Sequence, residues 1–82
     1  MIIKAALATE KAIRLMESEN KLVFLVDKNA SKAEIKLAIE ELYQVKVTNV
    51  NTLIGPDAKK RAYVTFSEET PAIDIATKLE LM

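Results

Sequence analysis

Residues 21–27 read KLVFLVD, and the five apolar side chains in a row, Leu22 to Val26, constrain the whole chain. As a strand, this segment puts Leu22, Phe24 and Val26 on one face and Val23 and Leu25 on the other. A strand apolar on both faces belongs at the centre of a sheet, with material packed on each side. The remaining elements must therefore be arranged around residues 21–27.

The flanking segments supply them. Ile2 and Ile3 suit a short first strand. Thr9 is placed to cap a helix over Glu10–Ser18, with Glu10 at its positive end and Asn20 closing it. Ala12, Ile13 and Met16 share one face of that helix. Ser31 to Glu34, SKAE, has the form of a capping box for a helix running to about Tyr43. Its buried stripe is Ile35, Ala38, Ile39 and Leu42, with Lys32, Lys36 and Glu40 outside. Val45–Ile54 is a third long strand, and its alternation slips between Val47 and Val50, which predicts a bulge or a two-sided strand.

GPDAKK then makes a turn into a returning strand, RAYVTF. That strand puts Ala62, Val64 and Phe66 on one face and Tyr63 and Thr65 on the other. Thr70 as N-cap and Pro71 at the first helical position open a last helix over residues 72–79. The order is short β-α-β-α-β-β-α, one α+β domain over residues 1–82, with a hairpin near the C-terminus. The crossover from Asp27 to Val45 leaves its flanking strands either parallel neighbours or apart. Leu22, Phe24, Val26, Ile35, Ile39, Leu42, Val64 and Phe66 are the expected core.

Composition removes whole classes of chemistry. Among 82 residues there is no Cys, no His and one Gly. The usual zinc sites, thiol nucleophiles and His general bases are therefore excluded, and so is a glycine-rich phosphate loop. No catalytic residue, metal or cofactor is expected, because acids such as Glu17, Glu40 and Glu41 read as solvated helix faces. Half the residues are apolar, which argues against disorder. The absence of Cys fits a reducing compartment. The apolar run Ala5–Ala8 is too short for a signal peptide or a membrane span. A soluble, cytoplasmic protein with no membrane insertion is expected.

Net charge is zero but unevenly spread. Between residues 28 and 66 seven basic residues (Lys28, Lys32, Lys36, Lys46, Lys59, Lys60, Arg61) face four acidic ones, which gives +3. Residues 67–82 carry −3. A basic region can meet phosphate even in a neutral protein. Asn49, Asn51 and Thr52 interrupt a strand, where Asn is disfavoured, and they precede the basic triplet. Across the hairpin these amides and hydroxyls suit sugar and phosphate oxygens, and Tyr63 offers a ring for stacking. Lys28, Asn29 and Lys32 add donors at the start of the second helix. The bland reading is a charged loop guarding a sheet edge and Asn residues at a bulge. Nucleic-acid binding, a protein–protein adaptor with no RNA role, and an enzyme all stay open at this point.

An ordered series of segments adds a further constraint. Thr9-Glu10-Lys11, the Phe24–Asp27 strand, Ala30 with Lys32 and Ile35-Lys36, Val45–Leu53 and Lys60-Arg61-Ala62-Tyr63-Val64 follow one another over about nine-tenths of the chain. In that order they resemble the family of universal large-subunit ribosomal protein number twenty-three, found at the rim of the peptide exit tunnel. Phe66 stands where that family more often has Leu.

The resemblance implies a small antiparallel α/β sandwich that binds large-subunit ribosomal RNA beside neighbouring ribosomal proteins. By it, Asn49, Asn51, Thr52 and Lys60-Arg61 match RNA-facing motifs; Lys28, Asn29, Lys32, Lys36, Lys46, Lys59 and Tyr63, taken from charge and side-chain chemistry, complete the expected RNA-binding set. Glu10 matches a position that bacterial relatives present to a chaperone. Signal recognition particle, chaperone or translocon at the tunnel exit are the implied docking partners. Bacterial forms carry a long loop between the last two strands. GPDAKK is short, so the likeness is to the archaeal or eukaryotic type.

Overall fold

The computed structural model describes residues 2–7 and 9–78. The order is β1 (Ile3–Ala6), α1 (Glu10–Glu19), β2 (Lys21–Val26), α2 (Lys32–Tyr43), β3 (Val47–Ile54), β4 (Lys60–Phe66) and α3 (Ala72–Lys78). The four strands form one antiparallel sheet in the order β1-β2-β4-β3. The crossover through α2 therefore separates its two strands, and β4 returns between them. The expected end of the last helix, Leu79, lies outside the described residues.

Local chemistry sets the helix boundaries. The Thr9 side chain accepts the amide of Ala12 at 3.2 Å. Asn20 closes α1 in the left-handed region at φ 56°. Ser31 and Glu34 exchange both bonds of a capping box, 3.1 and 3.2 Å, and Gln44 ends α2 at φ 53°. The third left-handed position is Ala58 at φ 61° in the β3–β4 turn, whereas the chain's one glycine, Gly55, has no positive φ. Gly55 instead leaves room for a side chain. A Cβ there would meet the Arg61 guanidinium, which would have to swing aside.

The start of α3 departs from expectation. Its first amide, on Ala72, is received at 2.6 Å by the Asn20 side-chain oxygen, and not by Thr70. The Asn20 side-chain nitrogen donates to the carbonyls of Phe66, Ser67 and Thr70 at 3.0, 3.2 and 3.3 Å. One residue thus terminates α1 and, fifty positions away in sequence, holds the chain that leads into α3.

The core lies between the helices and one face of the sheet. Leu22, Phe24 and Val26 of β2 meet Ala62, Val64 and Phe66 of β4, Val47 and Val50 of β3, and Met16, Ile35, Ile39 and Ile75 of the helices. Phe24, Ile35, Ile39 and Val64 are fully inaccessible, and Phe24 stacks on Tyr43 with ring centroids 6.4 Å apart. Burial raises the Tyr43 pKa. Seven of the eight expected core residues are buried. The exception is Leu42, which is 57% exposed because it turns toward a shallow apolar patch with Ile2, Ile3 and Ala38. The expected bulge in β3 falls between Val47 and Asn49. β2 is central as expected, and its Leu22, Phe24 and Val26 face packs into the helical core. Val23 on the other face is 4% exposed, with Ala12 and Leu15 of α1 beside it.

Candidate nucleic-acid interface

The open face of the sheet follows from register. Lys21 and Asn49 flank Thr65, Val23 and Asn51 flank Tyr63, and Leu25 and Leu53 flank Arg61. These nine side chains alternate with core residues, so they share the face opposite the core, with the start of α1 along its β2 side. Directly opposed residues on one face have Cβ atoms about 4.5–5.5 Å apart. Two Asn amides and the Tyr63 ring therefore form one contiguous surface. Asn49 and Asn51 are exposed and Tyr63 is half-buried.

Alternation also divides the basic triplet and corrects its expected shared surface. Lys60 pairs with Val26, so its side chain lies on the helix-bearing side. There its ammonium donates to the Ala30 carbonyl at 2.7 Å. Thr52 pairs with Ala62 and is half-buried on the same side. Neither residue joins Asn49, Asn51, Arg61 and Tyr63. Thr65 takes the place on the open face that Thr52 was expected to fill. Its hydroxyl oxygen is buried and has no hydrogen-bond partner among the described residues.

Arg61 is held in place by the turn. Its guanidinium donates to the Asp57 carboxylate at 3.2 Å. The other Asp57 oxygen accepts the Lys59 amide at 3.2 Å. That backbone bond, aided by the positive charge of Arg61 and despite some desolvation, lowers the Asp57 pKa.

At one end of the sheet the cations converge. Lys4, Lys28, Lys59 and Lys60 line a cavity of about 430 Å³ with no acidic residue among its walls. Lys4 was missed in the sequence because it stands alone in an apolar N-terminal segment. The register irregularity in β1 between Ile3 and Ala5 spans it. At the other end, Glu17, Glu19, Glu68 and Glu69 line a broad groove around Asn20. The neutral chain is therefore polarised along its strands. Lysines around one hollow suit phosphate oxygens, Lys60 less than the others because its ammonium is bonded to Ala30, and the adjoining open face offers amides and a ring.

The other expected residues fall in different places. Asn29 is exposed in the turn before α2, and Lys32 and Lys36 are exposed on α2 itself. Lys46 is exposed just before β3, at the acidic end, where its carbonyl accepts the Ser67 amide at 3.0 Å. Lys46 thus sits apart from the lysine cavity. Glu10 is 84% exposed on the first turn of α1 and accepts a bond from Arg14 at 2.9 Å. Among the described residues no cluster of acids can hold a metal ion, and no helix is long and apolar enough to cross a membrane.

Comparison with known proteins matches residues 1–76 to the family described as Ribosomal protein L23. The large ribosomal subunit protein uL23 of Pyrobaculum aerophilum is 47% identical over 81 residues, covering 99% of this chain and 100% of that protein. The protein of the same name from Methanococcus aeolicus is 45% identical over 78 residues, covering 95% of this chain and 91% of its own length. That of Trypanosoma brucei brucei is 49% identical over 81 residues, or 99% of this chain, which spans 49% of the longer relative. The chain belongs to the ribosomal protein L23 family, a family of structural proteins and not of enzymes.

Proposed function

We propose that residues 1–82 act as one rRNA-binding domain, a structural constituent of the large ribosomal subunit in the cytoplasm, close to neighbouring ribosomal proteins. The observation that carries this reading is the lysine cavity of Lys4, Lys28, Lys59 and Lys60 beside an open sheet face bearing Asn49, Asn51, Arg61 and Tyr63. Lysines neutralise phosphate wherever the backbone runs, while fixed amides choose among nucleotide edges. Asn29 and Lys32 extend the donor set from the turn before α2. Lys36 and Lys46 lie farther from the cavity and add only diffuse charge. The acidic end, with Glu17, Glu19, Glu68 and Glu69, faces away from RNA. The turn between β3 and β4, Gly55–Lys59, is too short to probe a tunnel and suits the archaeal type.

Glu10 supports a second role. It is exposed on the first turn of α1 and its only bonded partner among the described residues is Arg14. It suits a docking contact for signal recognition particle, a chaperone or the translocon at the tunnel exit. Glu10→Ala then weakens factor recruitment and leaves subunit incorporation intact.

Sedimentation decides between this reading and a protein adaptor with no RNA role. The native protein should travel with large subunits through high salt, and the purified chain should bind a cognate rRNA fragment with a steep log–log salt slope. Salt-independent binding, or none, would favour the adaptor.

A further inference from the structure

This inference rests on the open face being an RNA surface. Between that face and the start of α1 lies a cavity of about 220 Å³. Leu7, Leu15 and Val23 make its apolar floor, Tyr63 contributes an aromatic wall, and Lys11 and Arg61 add two cations. No acidic residue lines it. Its volume equals that of roughly seven waters, at about 30 Å³ each. It falls short of the roughly 300–1,000 Å³ of sites for drug-sized molecules. One planar ring system fits, and a peptide helix does not.

We propose that this cavity is a socket for a single unstacked nucleobase of an RNA strand. The base lies against Tyr63 over the apolar floor, and its flanking phosphate meets Lys11. Arg61 already shares its guanidinium with Asp57, so Lys11 carries the larger part of that contact. Asn51, paired with Tyr63 across the sheet, offers an amide to the neighbouring nucleotide. An apolar peptide side chain would have no use for the paired cations, whereas a nucleotide uses both the ring and the charge. Bases inside an A-form helix stay stacked and cannot enter, so the socket selects single-stranded RNA.

The chain has two tyrosines and no tryptophan, so a Tyr43→Phe background leaves Tyr63 as the sole reporter of intrinsic fluorescence. The probes are a short single-stranded oligoadenylate, an RNA duplex of equal phosphate count, and an apolar peptide. Oligoadenylate should quench Tyr63 and the duplex should not. Tyr63→Leu should weaken single-strand binding about fivefold to a hundredfold, from the worth of stacking one base, and leave duplex binding unchanged. Tyr63→Phe should retain most of the affinity. Lys11→Ala, at an exposed position, should flatten the single-strand salt slope by about 0.7. Salt-dependent binding of both RNAs with no quenching, and no loss in Tyr63→Leu, overturns the socket while the RNA surface stands. Quenching by the apolar peptide alone also overturns it. If neither RNA binds, the RNA reading itself fails and the socket with it.

Discussion

The Lys60 ammonium donates to the backbone carbonyl of Ala30 at 2.7 Å, on the side of the sheet that carries the helices. This bond ties the start of β4 to the residue that precedes the capping box of α2. It also means that Lys59, Lys60 and Arg61, adjacent in sequence, have three different tasks. Lys59 is exposed, Lys60 braces the fold, and Arg61 is clamped to Asp57 on the open face.

The two lysines should therefore fail differently. Lys60→Ala should lower stability by about 1 kcal/mol, below the roughly 1.5–3 kcal/mol of a hydrogen bond to a charged group, because the side chain is only half-buried. Lys59→Ala should leave stability unchanged and flatten the salt slope for RNA by roughly 0.7–0.9. Urea unfolding and a salt titration of both variants check this, and equal stability loss in both would show that the Ala30 bond contributes nothing.

Asn20 should be among the most sensitive polar residues. Its side chain makes four bonds, to the carbonyls of Phe66, Ser67 and Thr70 and to the amide of Ala72. Asn20→Ala should cost about 2–4 kcal/mol, since buried partners are left unsatisfied in addition to the lost bonds. Asn20→Gly should recover only about 1 kcal/mol, the part due to the left-handed backbone. Full recovery by Gly would mean that the side-chain bonds are unimportant.

Two apolar residues that look alike in sequence should separate sharply. Phe24→Ala should cost about 3–5 kcal/mol, a large share of a small domain's total stability. Leu42→Ala, at a site 57% exposed, should cost less than about 1 kcal/mol. Denaturant midpoints of the two variants measure the contrast.

Acid should weaken the β3–β4 turn. The folded Asp57 pKa lies below its unfolded value, so ionised Asp57 favours the folded form above the unfolded pKa, near 3.8. That contribution is lost as pH falls through the folded value. Asp57→Asn should remove this part of the pH dependence and release Arg61, giving tighter binding to any RNA. The carboxyl resonance of Asp57, followed by NMR in the folded and the urea-unfolded chain, gives the sign directly.

Much of this protein is written in its local sequence. The caps at Thr9 and Ser31, the αL closure at Asn20, the bulge after Val47 and the seven core residues from Leu22 to Phe66 depend on neighbours within a few positions, which periodicity and capping chemistry report. The open-face assignment of Tyr63 and Thr65 follows from period two alone once Ala62, Val64 and Phe66 are known to be core.

Only the folded chain decided the rest. Strand order brings Lys4 beside Lys59, and it brings Lys11 beside Tyr63, pairs separated by more than fifty residues with no local pattern to link them. The placement of Lys60 and Thr52 depends on the register of β4 against both neighbours. A shift of one residue would exchange their face with that of Arg61 and Asn51. Asn20 reads locally as a helix end, and its hold on Ala72 exists only because the sheet returns β4 to the end of α1. Long-range pairing selects which of several locally allowed surfaces a polar residue joins, and for that reason composition could indicate a basic region without locating its cavity.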